Sequence, residues 1–155
     1  MYSKLLAARQ AANQGIPVVI MNGKKSGLLV RLFDGEKVGT YFKPKEQPLS
    51  QRKGWIAFGL KSRGMIYLDE GAVKALTTHG KSLLPSGIIK IEGDFGIGDC
   101  VSCMDKEGKK VAKGLTNYSS GELERIKGKR TSEIEKALGY KYSDEVIHRD
   151  NLVVV

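Results

Sequence analysis

The sequence predicts an α+β protein in two unequal parts, a short α/β segment followed by a β-barrel-like unit with small helices. Three observations point there. Helix and strand patterns alternate over residues 3–42, short β-favouring runs with small helical patterns follow from residue 64, and the charge changes character between the two. Residues 1–63 hold 12 Lys/Arg against 3 Asp/Glu and residues 64–155 hold 14 against 14, so the whole net charge of +9 belongs to the first part. Such asymmetry marks a boundary between units with different partners.

Residues 3–14 are rich in helix formers, open on Ser3 as a cap and are followed by Gly15 at a C-cap position. Ile16–Met21 is a continuous apolar run, the pattern of a strand buried on both faces in a parallel sheet. A second helix is expected at 28–33 and a second strand at 38–42, giving a slice of a parallel α/β sheet. Two strands and two helices leave sheet edges and apolar helix faces uncovered, so either further chain upstream or a second copy is expected to complete the slice. Residues 44–63 read as a connector with Pro44, Pro48, Gly54 and Gly59, inside which Trp55, Ile56, Ala57 and Phe58 are apolar enough to dock on the second unit.

The densest signals lie in residues 64–95. Met65–Leu68 favours a strand, Asp69 and Glu70 suit the positive end of a helix carrying Ala72, Ala75 and Leu76, and Gly80 stops that helix. Residues 99–105 and 110–116 read as a hairpin turning at Lys106-Glu107-Gly108. Residues 121–127 and 132–138 are short helices with Ser119 or Ser120, and Thr131, as caps. Val146, Ile147 and residues 152–155 close the unit as a strand region.

With 41% hydrophobic content over 155 residues, a packed core is expected. No run approaches the length of a membrane span and the N-terminus turns polar too soon for a signal peptide, so a cytoplasmic protein without a membrane partner is the expectation. Cys100 and Cys103 form a C-x-x-C, but strand alternation sends positions three apart to opposite faces, which favours packing over redox or metal chemistry. No metal site is expected. Gly93–Gly98 reads as turn chemistry, because no helix follows to hold a phosphate. His148-Arg149-Asp150 matches a protein-kinase catalytic loop only superficially, and His79 suits a helix C-terminus better than a ligand site.

The stretches VGTYF, LDEGAVKAL, KSLLPSGI, GDF, NYSS, EIEKALGYKY and VIHRDNL, taken together, resemble the C-terminal part of the glutamate 5-kinase family. That family phosphorylates the γ-carboxylate of glutamate with ATP at the start of proline synthesis. Its nucleotide loop, T-G-G-M-x-x-K, is matched from its Met onward by Met1, Tyr2, Ser3 and Lys4. Residues 64–138 resemble a PUA domain, a small pseudo-barrel module found in many RNA-modifying enzymes. The resemblance implies that residues 1–43 are the truncated C-terminal end of an amino-acid-kinase domain, that 44–63 are a linker, and that 64–155 are a PUA-type β pseudo-barrel with short helices and a C-terminal extension.

On that reading Met1–Lys4 are a partial nucleotide-binding element, with Lys4 beside helix N–H groups able to hold phosphates. On its residues alone, Lys4 reads as an ordinary solvated helix lysine. ATP and Mg²⁺ are implied for the parent enzyme. None is expected on this chain, which is predicted inactive because the glutamate site and most catalytic groups are missing. Arg63, Lys74, Lys81 and Ser82 are the RNA-binding candidates, and Lys109, Lys110, Lys113, Lys127, Lys129 and Arg130 form a second basic cluster. A solvated surface with interspersed acids is the competing explanation for both, and Tyr118, Tyr140 and Tyr142 read equally as core, interface or stacking platforms. The alternatives to a kinase fragment are a stand-alone RNA-binding module and an oligomerisation unit. Partners on these readings are the rest of the kinase domain, another copy of the chain, or RNA.

Overall fold

The run YSKLLAARQAAN holds no β-branched residue, glycine or proline, and it forms helix α1, Tyr2–Asn13, in a computed structural model that describes residues 1–45 and 50–155. Ser3 lies inside this helix and does not cap it. The helical conformation extends back to Tyr2, and the Met1 carbonyl takes the Lys4 and Leu5 N–H groups at 3.2 and 3.3 Å. At the other end Gly15 has φ +80°, which lets its N–H reach the Ala12 carbonyl and the Ile16 N–H reach Ala11, the paired closure of a Schellman motif.

The chain divides into two units, Met1–Gly54 and Trp55–Val155. In the first, α1 is followed by β1 (Val18–Ile20), α2 (Leu28–Phe33), β2 (Thr40–Phe42) and a single turn α3 (Gln51–Gly54). β1 and β2 pair antiparallel, Val19 opposite Tyr41, which corrects the expectation of a parallel slice. An apolar run does not itself encode strand direction, and here the chain returns to β1 through Gly39. A Cβ there would sit 2.4 Å from the Ile20 carbonyl oxygen, and φ is +76°, so the glycine lets the returning chain turn tightly against the end of β1. β1 is half-buried on its described residues, not sealed on both faces, and Ile16 is 52% exposed.

The second unit opens on a π-helical turn, Trp55–Gly59, inside the stretch read as a connector; Pro48 of that stretch lies outside the described residues. Of its apolar run Ile56 is wholly buried, while Trp55 and Phe58 remain 52% and 37% exposed. There follow β3 (Gly64–Leu68), α4 (Glu70–Thr77), β4 (Ile88–Glu92), β5 (Cys100–Met104), β6 (Lys110–Leu115), α5 (Ser120–Ile126), α6 (Ile134–Leu138) and β7 (Leu152–Val154), with 3-10 turns at Pro85–Gly87, Thr131–Glu133 and Arg149–Asn151. The five strands form one mixed sheet in the order β4-β3-β5-β6-β7, with β3 and β5 parallel and the remaining pairs antiparallel.

One face of this sheet carries the core. Ile66, Leu68, Val101, Cys103 and Ala112 from the strands meet Leu76 of α4, Leu123 and Ile126 of α5, and Ile134 and Leu138 of α6. Each large aliphatic side chain buried here is worth about 1.5–3 kcal/mol. Tyr118 belongs to the same core, whereas Tyr140 and Tyr142 are exposed. α5 is capped by Ser119, whose hydroxyl and the Glu122 carboxylate form a reciprocal capping box. Thr131 does not cap the last helical stretch. The 3-10 turn begins at Thr131 itself, and Glu133 turns back to accept the Arg130 N–H at 2.8 Å.

Candidate nucleic-acid interface

Helix α4 is fixed at its start by Asp69, whose carboxylate accepts the Ala72 N–H at 2.7 Å while its own N–H reaches the Gly87 carbonyl at 3.0 Å. The face of α4 toward residues 81–87 carries the small residues Gly71, Ala72 and Ala75 beside Leu76, so a hollow is left there. Gly87 closes one wall, and its backbone passes so near Ala72 that a Cβ would meet the Ala72 Cβ at 2.4 Å. The opposite wall comes from far along the chain. Leu83 exchanges backbone hydrogen bonds with Ile147 and Val146, at 2.8 and 2.7 Å, and Ser82 Oγ accepts the Arg149 N–H at 3.0 Å.

The result is a groove of about 770 Å³ with small or apolar side chains on its floor and Lys81, His148 and Arg149 beside Asp69 and Glu145 at its margin. Asp69 is engaged by the helix cap, and Glu145 accepts the Ser143 hydroxyl at 2.8 Å. His148 Nδ1 accepts the Asp150 N–H at 3.3 Å. A shallow apolar floor with cations and hydroxyl donors on one rim is suited to a flat ring and an adjacent phosphate.

Of the four RNA-binding candidates the groove gathers Lys81 and Ser82. Lys74 points to the other side of α4, into a second hollow with Val73, Thr77, Asp105 and Glu107, where Lys106 bonds Glu70 and holds that carboxyl below its ordinary pKa. Arg63 precedes β3 at the end remote from α4, its Nε 3.3 Å from Asp99. The second basic cluster is also dispersed. Lys113 is 5% exposed and therefore no surface contact, and Lys127 is paired with Glu124 at 2.5 Å. Arg149, whose Nε lies 4.0 Å from Asp150, joins Lys81 as the groove's second cation with His148 beside it, and neither Arg149 nor His148 was singled out as a nucleic-acid contact by its local sequence.

Cys100 and Cys103 lie on opposite faces of β5: Cys103 joins the core with Val101, and Cys100 shares the outer side with Ser102. Burial pushes the Cys103 thiol up to about 12 and raises that of Cys100 as well. Met1–Lys4 stand at the exposed start of α1, with Met1 and Tyr2 each 80% exposed. Among the described residues no group of three or more His, Cys, Asp or Glu is placed to hold a metal ion, and no helix is long and apolar enough to cross a membrane.

A family model for the PUA domain matches residues 64–138. Along all 155 residues the chain is 56% identical to the glutamate 5-kinase of Thermoanaerobacter pseudethanolicus and 48% identical to that of Geobacter sulfurreducens. It spans 42% of the length of each. Among solved structures, a PUA-domain protein from Aeropyrum pernix K1 is similar at 24% identity and a TM-score of 0.43, over 63% of this chain and 48% of that one.

Proposed function

We propose, from the PUA-domain match at residues 64–138 and the similarity of all 155 residues to glutamate 5-kinases, that the chain serves as the C-terminal portion of an ATP-dependent glutamate 5-phosphotransferase of proline biosynthesis in the cytoplasm, with a PUA unit that binds RNA or modulates the enzyme. The observation that carries this reading is an overall identity of 56% along an alignment that spans all 155 residues. Residues 1–43 supply the closing edge of the kinase domain, 44–63 the linker, whose last nine residues pack within the second unit, and 64–155 the PUA domain with its extension.

Lys4 contributes one contact to the ATP phosphates. Its place in the first turn of a 12-residue helix, beside N–H groups without intrahelical partners, suits an anion. ATP supplies the transferred phosphoryl group when bound, and Mg²⁺ is held by residues of the kinase outside this stretch. The apolar side chains that α1 and α2 leave exposed, Tyr2, Leu5, Leu6, Leu29, Val30 and Phe33, are covered by the remainder of the kinase domain.

A coupled ADP-release assay tests the kinase reading. The 155-residue chain alone is expected to give no glutamate-dependent turnover, and Lys4→Ala in the full-length protein to lower kcat by about 10²–10³. Glutamate-dependent turnover by the 155 residues alone would overturn the assignment of the catalytic groups elsewhere. Size-exclusion chromatography tests the cover: self-association of the chain alone and a defined oligomer of the full-length protein are expected.

The groove carries the RNA reading. Titration of single-stranded RNA over a salt series is expected to show log K falling with log[salt] by about 0.7 per phosphate contacted, with the slope reduced in Arg149→Ala. Absence of any salt-dependent binding leaves the modulatory role.

A further inference from the structure

We propose that residues 55–63 form a strap that detaches from the sheet as one piece, and that Lys113 is the latch that holds it. Lys113 alternates with core-facing Ala112 on β6, so its side chain emerges from the face of the sheet away from the core. A lysine so placed is ordinarily solvated, yet this one is 5% exposed. The strap shields it.

The Lys113 ammonium donates to the Ala57 carbonyl at 3.4 Å and, more closely, to that of Leu60. These carbonyls lie within and just beyond the π-helical turn Trp55–Gly59, where a helix end leaves acceptors without partners in the helix itself. Below the latch, Ser62 Oγ and Ser102 Oγ are 2.8 Å apart, and the Arg63 N–H reaches the Cys100 carbonyl at 2.8 Å. Above it, Ile56 is the strap's one wholly buried side chain, while Trp55 and Phe58 keep much of their surface in water. The strap is thus held by one wholly buried apolar side chain, the half-buried Ala57 and Leu60, one cation and a few polar contacts, without a ladder of its own.

Burial lowers the Lys113 pKa, so the ammonium is held there against a desolvation cost that water would remove on opening. That cost offsets part of the gain from its two carbonyl contacts, so the net hold is modest and this segment is easier to release than the sheet beneath it. Detachment would add residues 55–63 to the covalent join between the two units and uncover Val153, which lies opposite Lys113 on β7.

Hydrogen exchange read by mass spectrometry on the whole chain tests this, comparing wild type with Lys113→Ala. Peptides covering 55–62 are expected to exchange about tenfold faster in the variant while those covering β3 and β5 keep their rates. Unchanged exchange in 55–62, or acceleration that spreads equally through the sheet, overturns the latch. If the variant fails to fold, the wild-type chain in mild denaturant decides: opening of 55–62 with a shallower denaturant dependence than β3 supports the strap, and opening only together with β3 overturns it.

Discussion

Cys103 shares its C-x-x-C spacing with redox and zinc pairs, but the strand carries the two sulfurs to opposite faces and burial holds the thiol protonated, its pKa near 12. At pH 8 the native protein is therefore expected to leave Cys103 unmodified by a disulfide reagent, with both thiols reacting once denaturant is added; rapid native labelling of Cys103 would contradict its place in the core. Tyr118 makes a comparable point for a polar group in the core. Its hydroxyl accepts the Ser143 N–H at 2.9 Å and donates to the Ser143 carbonyl, so Tyr118→Phe is expected to cost about 1–2 kcal/mol in urea unfolding without altering the far-ultraviolet spectrum. At this scale Lys81 and Ser82 were legible as candidates because they sit in the exit loop of a recognisable helix. Arg149 was not. It meets Ser82 across 67 residues of chain, through a bridge between Leu83 and Ile147 that no local pattern encodes.

Elements were read well where their signals are local. The Ala72, Ala75 and Leu76 spacing with Asp69 ahead of it gave α4, and the Lys106-Glu107-Gly108 cluster gave the β5–β6 turn, where Asp105 accepts the Glu107 and Lys109 N–H groups at 3.0 and 2.8 Å. Strand direction was less legible, because an apolar run such as Ile16–Met21 has the same composition in either pairing. α4 also shows how one helix serves two surfaces, its small residues facing the groove and Val73, Lys74 and Thr77 facing the second hollow. The close approach of Gly87 to Ala72 can be tested at this level. Gly87→Ala places a methyl 2.4 Å from the Ala72 Cβ and is expected to destabilise the unit by about 1–3 kcal/mol, with part of the loss recovered in the Gly87→Ala, Ala72→Gly double variant. Purely additive losses in that pair would refute the contact.

In the whole molecule the two units differ in how much they bury. The described part of Met1–Gly54 has Ala8 as its buried hydrophobic residue, whereas Trp55–Val155 holds the eighteen-residue core cluster. Residues 55–155 expressed alone are accordingly expected to unfold in one cooperative transition, with a midpoint close to that of the full chain. Loss of cooperativity on removing residues 1–54 would show that the second unit borrows stability from the first. The family match ends at residue 138, yet β7 and the groove residues Glu145, His148 and Arg149 come after it. The recognisable part is thus shorter than the compact unit, whose core includes Val146, Ile147 and Leu152. A graft of residues 64–138 into another protein would carry the signature without the sheet edge at β7 or the Glu145, His148 and Arg149 side of the groove.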